Sequence, residues 1–201
     1  MSKYQNIHAA LLGIGTVGMG VYKLLERRKK ELPYKIGGEL NIRRVLVKNL
    51  SKKREGIPED ILTDDFQGIL SDPKIQIVIE LMGGIEPART YILEALRAGK
   101  HVVTANKDLM AKHGRELMEE AERHGCDLQF EAAVAGGIPI IRPLKECLAG
   151  NEITEVMGIV NGTTNYILTK MTEEGMDFDD ALRKAQELGF AEADPTADIE
   201  G

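Results

Sequence analysis

The chain has 201 residues, 43% of them apolar, with 32 acidic against 26 basic side chains and a formal net charge of −6. That length holds one large domain, or one domain and part of a second. The mild acidity argues against nucleic acid as the main partner, and no apolar run is long enough to cross a bilayer. Residues Met1 to Asn6 lack the basic and apolar segments of a secretory signal, so a cytoplasmic location is expected.

Strand-like and helical segments alternate, the pattern of a doubly wound parallel sheet. Ile7 to Leu12 reads as the first strand and runs into Gly13-Ile14-Gly15-Thr16-Val17-Gly18. The helix that follows extends to about Lys30, with Val17, Val21, Leu24 and Leu25 on its apolar face and a basic end that complements the helix dipole. Pro33 to Glu39 is a loop, and Ile42 to Val47 is the second strand. A polar stretch, Lys48 to Glu55, is followed by Asp64-Asp65-Phe66 and a turn at Ser71-Asp72-Pro73. Ile75 to Leu81, broken only by Gln76 and Glu80, suits a third strand buried on both faces.

Pro87 opens a helix at its first position, and Gly99 stops it. Lys100 to Thr104 is the fourth strand, Asn106 to His124 holds one or two helices interrupted near Gly114, and Asp127 to Glu131 is the fifth strand. The small residues Ala132 to Gly137 lead into an amphipathic helix from Pro139 to about Leu148. Beyond Gly150 the pattern changes. Ile153 to Val160 reads as a strand with one wet face, Asn161 to Asn165 as a turn, and Tyr166–Glu174 and Phe178–Leu188 as helices. Gly189 to Gly201 is turn-like and rich in carboxylates. Residues 1–135 are expected to form a dinucleotide-binding domain, and 136–201 a linker helix and the beginning of a second, α+β domain.

The glycine loop carries the chemistry most directly. Between a strand and a helix, Gly13 allows the tight turn and Gly15 lets the backbone approach a pyrophosphate. Gly18 lets the helix pack closely, and the helix start offers free N–H groups and a positive dipole end. In such sheets ligands gather at the carboxyl ends of the strands. That rule selects Gly13–Gly18, Lys48–Arg54, Met82-Gly83-Gly84, Thr104–Lys107 and Glu131–Gly137. No carboxylate stands after strand two to receive a ribose 2′-hydroxyl. Lys48, Lys52 and Arg54 favour a 2′-phosphate, hence NADP over NAD. Lys107, at a strand end, can reach a nicotinamide or a substrate carbonyl, or serve as a surface lysine.

Other residues point elsewhere. Cys126 and Cys147 read as small buried residues in a reducing compartment rather than a nucleophile or redox pair. The four histidines lack metal-ligand spacing. Glu192, Asp194, Asp198 and Glu200 could bind a hard cation or a substrate ammonium, or form a solvated acidic loop.

Taken in order, these segments resemble homoserine dehydrogenase over essentially the whole chain. The resemblance is carried by Gly13–Gly20, Met82–Ala88, Val103–Lys107, Glu131–Pro139, Asn161–Leu168 and Leu188–Gly201. It implies a Rossmann-type domain followed by the start of a substrate and dimerisation domain. It also implies reversible hydride transfer between NAD(P)H and L-aspartate 4-semialdehyde, giving L-homoserine, in a homodimer or larger homo-oligomer. On this resemblance Ile14, Thr16 and Val17 touch the cofactor phosphates, alongside Gly13, Gly15 and Gly18. Thr104 and Lys107 line the nicotinamide and substrate, Lys107 also being the catalytic candidate of this chain, Gly83 is a further cofactor-binding residue, and Gly189 approaches the cofactor. Glu192 binds the substrate ammonium with Asp198 as a second substrate residue. A sodium ion is held at Glu131, Val134, Gly136 and Ile138, fixing the segment between the domains. The family pattern continues with Gly-x-Asp-Ala-x-x-Lys, whose aspartate and lysine lie against the substrate hydroxyl. The sequence ends at Gly201, so a fragment without turnover is expected. The competing expectations are another amino-acid or semialdehyde dehydrogenase, the phosphorylating kind requiring a nucleophilic cysteine, and a dinucleotide-binding module that does no chemistry.

Overall fold

Four consecutive residues without solvent exposure, Ala9 to Leu12, mark the centre of the sheet. They end β1 (Gln5–Leu12), which pairs in parallel with β2 (Gly38–Leu46) on one side and β4 (Ile75–Glu80) on the other. The short β3 (Leu62–Thr63) extends the sheet beyond β2, and β5 (His101–Thr104) and β6 (Leu128–Gln129) extend it beyond β4. The order is β3-β2-β1-β4-β5-β6, and every pairing is parallel. The chain therefore reverses its direction of travel across the sheet between β1 and β4, which opens a crevice at their carboxyl ends. The computed structural model describes residues 5–159, 161–191 and 195. The chain divides into two units, Met1–Leu144 and Lys145–Gly201.

Alternation along the strands supplies two cores in the first unit. Ala10, Leu12 and Leu46 face one way, against α3 (Phe66–Ser71), α4 (Ala88–Arg97) and α5 (Lys107–Arg123). Leu11, Val45 and Val47 face the other way, against Tyr22, Met19 and Val21 of α1 (Thr16–Arg27). The helix ends follow local chemistry. Asp65 and Asn106 cap α3 and α5 by accepting from the amides of Gly68 and Leu109. Gly99, in the left-handed region, closes α4. Between α4 and α5 the Arg89 guanidinium grips the Glu116 carboxylate with two donors, which holds that carboxyl below the usual carboxylate range.

Several expectations about the elements are corrected. Helix α1 ends at Arg27 rather than Lys30, and its buried row runs through Gly18 and Tyr22. Val17 and Leu24 are instead 56% and 44% exposed. Gly18 must press against Gly13, and that contact turns its own row inward. Residues 33–39 are not simply loop: α2 (Leu32–Ile36) ends on left-handed Gly37, and β2 already begins at Gly38. Gly38 fits there because a Cβ would lie 2.7 Å from Ile7. The strand β3 and helix α3 fall between the polar stretch ending at Glu55 and the turn at Ser71, where no element is expected, and a two-residue strand shows no period to read.

Pro87 precedes α4 as its capping residue rather than occupying the first helical position. Helix α5 is continuous through Gly114, which is buried and whose missing Cβ leaves room for Met110. Only Leu128–Gln129 of the expected 127–131 strand pairs.

The segment 139–148 forms one turn of π-helix, Pro143–Cys147, in place of the expected amphipathic helix. Pro143 removes a backbone donor in its middle. Cys147 is accordingly exposed, against the expectation of burial.

In the second unit, α6 (Gly162–Glu174) and α7 (Phe178–Glu187) pack around Ile167, Ala181, Ala185 and Ala191. Asn161 and Asp177 cap them, and left-handed Gly175 and Gly189 terminate them. Helix α6 starts four residues before the expected Tyr166, because Asn161 caps it and draws Gly162 to Asn165 into its first turn. Residues 152–159 form no strand, and Val156, Met157 and Ile159 are 62%, 84% and 74% exposed. Alternation makes a strand only beside a partner strand, and the described residues supply none here. Among the described residues no helix is long and apolar enough to cross a membrane.

Candidate functional site

A cleft of about 540 Å³ opens where the sheet order reverses, over the carboxyl ends of β1, β2 and β4. Its floor is the turn after β1. The backbone is drawn tight there: the Gly13 amide donates to the Leu46 carbonyl at 3.1 Å, and the Leu81 amide to the Leu12 carbonyl at 2.9 Å. Gly13 has φ +95°, and a Cβ on it would stand 3.0 Å from the Leu81 carbonyl oxygen. At Gly18 a Cβ would lie 2.4 Å from the Gly13 carbonyl oxygen. Both positions are glycine because the protein itself occupies the space. Gly15 differs. It precedes α1 with no capping side chain, and a Cβ there would meet no protein atom within 4 Å. The start of α1 thus presents backbone N–H groups and the positive dipole end to open space. Ile14 lines the cleft, while Thr16 and Val17 are exposed in the first helical turn.

The cationic side of the cleft comes from the loop after β2. Lys48, Lys52 and Arg54 all line it. The Arg54 guanidinium also folds the loop, with Nη1 donating to the carbonyls of Asn49 at 3.0 Å and Lys52 at 2.7 Å. Sequence reading missed three neighbours. Asp64 enters the cleft from the end of β3, a strand with no legible signal. Pro87 and Tyr91 enter from α4 one helical turn apart, and Tyr91 stacks on Phe66 with ring centroids 3.9 Å apart. The four-residue spacing of Pro87 and Tyr91 was the available clue.

The ends of β4 and β5 are joined by a buried polar network. Glu80 and Thr104 are both fully buried. The Thr104 hydroxyl donates to Glu80 Oε2 at 2.6 Å, and the Asn106 amide donates back to Thr104 Oγ1 at 3.1 Å. The hydroxyl of Thr104 is therefore committed inside the protein. Met82 lines the cleft, and Gly83 follows it at φ +73°. Lys107 is the first residue of α5 and is exposed, and among the described residues nothing pairs with its amine.

The expected cation segment folds as a tight loop within the first unit. A 3-10 turn, Glu131–Ala133, is followed by Ala135 and Gly136 at φ 55° and 59°. The Glu131 carboxylate accepts from the amides of Ile140, Ile141 at 2.9 Å and Arg142 at 2.8 Å. Those backbone donors hold its carboxyl below the ordinary carboxylate range. Among the described residues no group of three or more His, Cys, Asp and Glu side chains could hold a metal. An ion beside Val134, Gly136 and Ile138 would rest on main-chain carbonyls. Gly189 belongs to the second unit, where its φ of +76° ends α7. Glu192 and Asp198 lie outside the described residues. Burial pushes the Cys126 thiol up, the opposite of what a nucleophilic cysteine requires.

Comparison with known proteins bears on all of these segments. Residues 13–131 match the family model described as "Homoserine dehydrogenase, NAD binding domain". Residues 139–201 match the one described as "Homoserine dehydrogenase". The homoserine dehydrogenase of Bacillus subtilis is 53% identical over 196 residues, covering 97% of this chain and 45% of that protein. The crystal structure of a homoserine dehydrogenase from Thiobacillus denitrificans aligns with a TM-score of 0.87 at 48% identity, over 99% of this chain and 46% of that one. A hyperthermophilic archaeal homoserine dehydrogenase in complex with NADPH aligns with a TM-score of 0.80 at 30% identity, over 98% of this chain and 66% of that one. The chain thus spans about half the length of the curated relatives it matches. With one family model covering residues 13–131, the chain belongs to the homoserine dehydrogenase family.

Proposed function

We propose that this chain is the cofactor-binding part, with the start of the substrate-binding part, of an NAD(P)-dependent enzyme interconverting L-aspartate 4-semialdehyde and L-homoserine. The observation that carries the reading is Gly15, whose absent side chain leaves the uncapped start of α1 open to a ligand phosphate. A dinucleotide fits this floor because Gly15 answers to no protein neighbour, whereas Gly13 and Gly18 do. Ile14, Thr16 and Val17 would bind the pyrophosphate through the first turn of α1. Lys48 and Lys52 would take a 2′-phosphate, which favours NADPH over NADH, with Arg54 holding their loop. The NADPH bound to the archaeal relative supports that assignment.

When bound, NADPH supplies the hydride. The protein must hold the aldehyde in line and offer a proton to the alkoxide that develops. Lys107, exposed at the start of α5 and unpaired among the described residues, is the group of this chain assigned to the substrate oxygen. Gly83 and the backbone of Thr104 border the nicotinamide end. On the family resemblance Gly189 is assigned to the cofactor, Glu192 to the substrate ammonium and Asp198 to the substrate. A sodium ion would sit on the carbonyls of Glu131, Val134, Gly136 and Ile138, with the Glu131 carboxylate clamping the same loop from the other end. Residues 136–201 begin the substrate and dimerisation domain of a homo-oligomer. These 201 residues are assigned cofactor binding and the start of the substrate site.

Two measurements test this. NADPH fluorescence should report saturable binding by the chain. A longer chain continuing beyond Gly201 with the Gly-x-Asp-Ala-x-x-Lys pattern should oxidise NADPH when given aspartate semialdehyde. Cofactor binding without oxidation by the longer chain would leave only a dinucleotide-binding module.

A further inference from the structure

Glu80 ends β4 in full burial, on a strand whose other buried residues, Ile75 and Val78, are apolar. The cofactor reading assigns it no role. A buried carboxylate is costly unless hydrogen bonds replace its water. Here Oε1 accepts from the amides of Met82 at 2.7 Å and Gly83 at 3.3 Å, and Oε2 accepts from the Thr104 hydroxyl at 2.6 Å.

The network continues from there. Thr104 Oγ1 accepts from the Asn106 amide, Asn106 Nδ2 donates to the Gly84 carbonyl at 2.6 Å, and Asn106 Oδ1 caps α5 at the Leu109 amide. The circuit runs from the end of β4, through the turn at 82–84, to the end of β5 and back. Packing does not hold that turn: Gly83 and Gly84 sit at φ +73° and +72°, and a Cβ on either would touch nothing within 4 Å. The Glu80 carboxylate fixes its Met82 and Gly83 amides on one side, and the Asn106 side chain fixes the Gly84 carbonyl on the other.

We infer that Glu80 is a positioning residue for the nicotinamide half of the cofactor. It sets the Met82–Gly84 turn and, through Thr104 and Asn106, the start of α5 where Lys107 stands. This rests on the dinucleotide reading above. The hydrogen bonds of the network join β4, the 82–84 turn, β5 and the start of α5, and none of them ends on β1 or β2, beside which the adenosine half would bind, so the two halves of the ligand separate its effect from general damage.

The test is titration of the 201-residue chain with NADPH and with 2′,5′-ADP, which carries only the adenosine half. Glu80→Gln keeps the shape but offers an amide where Thr104 needs an acceptor. It should weaken NADPH about tenfold or more, the scale of a lost hydrogen bond to a charged group, and leave 2′,5′-ADP unchanged. Thr104→Val should do the same to a smaller extent, and it decides the question alone should Glu80→Gln fail to fold. Unchanged NADPH affinity, or equal weakening of both ligands, would overturn the inference. A wild-type chain that binds neither ligand would overturn the dinucleotide reading itself, and the positioning role with it.

Discussion

The cleft has two glycine turns, and they are glycine for different reasons. After β1, Gly13 and Gly18 are required by contact with the protein's own backbone, and only Gly15 faces open space. After β4, Gly83 and Gly84 face open space, and the side chains of Glu80 on β4 and Asn106 at the start of α5 hold the backbone of their turn. The first turn combines a local contact, Gly18 on Gly13 five residues away, with the press of Leu81 on Gly13 from the end of β4. The second exists only once β4 and β5 are side by side. A glycine count treats the two alike, whereas the geometry separates structural glycines from those that leave room for a ligand.

The largest expected effect probes the first turn. Gly18→Ala forces a methyl against the Gly13 carbonyl and should destabilise the chain by about 2–4 kcal/mol, read by urea or thermal unfolding. Gly15→Ala makes no such clash. It should change stability by less than about 0.5 kcal/mol while weakening NADPH binding markedly. Similar stability losses for the two variants would erase the distinction between them.

A smaller effect is expected on the cationic side. Replacing Lys48 and Lys52 with Ala should weaken NADPH roughly tenfold more than NADH, as lost charge-assisted contacts to a 2′-phosphate would. Equal losses would remove the phosphate assignment. Arg54 is the poorer probe, because its substitution also releases the loop carbonyls it ties.

The smallest effect concerns the loop clamped by Glu131. Its carboxyl is held below the ordinary range by the amides of Ile140 and Arg142, with Ile141 as a third donor. The clamp is therefore complete above the ordinary carboxylate pKa and is lost as pH falls through the lowered value. The protection of the Ile140 to Arg142 amides from hydrogen exchange, taken relative to the intrinsic rate at each pH, should fall on acidification in the wild type. In Glu131→Gln that dependence should flatten, and an equally steep response there would sink the clamp.

The parts of the site legible in the sequence were those made by short-range chemistry. The motif of the Gly13–Gly18 loop, the Lys48–Arg54 loop and the Gly189 helix end are written in residues within a turn or two of one another, whereas Asn161, read as part of a turn, caps α6. Glu80 was legible only as a break in an apolar run, because its donors come from a separate strand and the turn beyond it. Asp64 was hidden by a strand too short to show a period. Residues 153–159 depart from the expected strand for a related reason: alternation records which side of a segment is apolar but cannot supply a partner strand.

Residue order alone determined the alternating α/β plan, the glycine loop and the family, since each is written in local spacing or in segments recurring in the same succession. Tertiary structure decided which glycines answer to the protein and which to open space. It buried the Thr104 hydroxyl against Glu80 and turned Glu131 onto three backbone amides. The first two outcomes depend on strand order and on contacts between residues far apart in the chain, and the Glu131 clamp on how a loop of about ten residues folds back on itself, quantities that exist only in the folded chain.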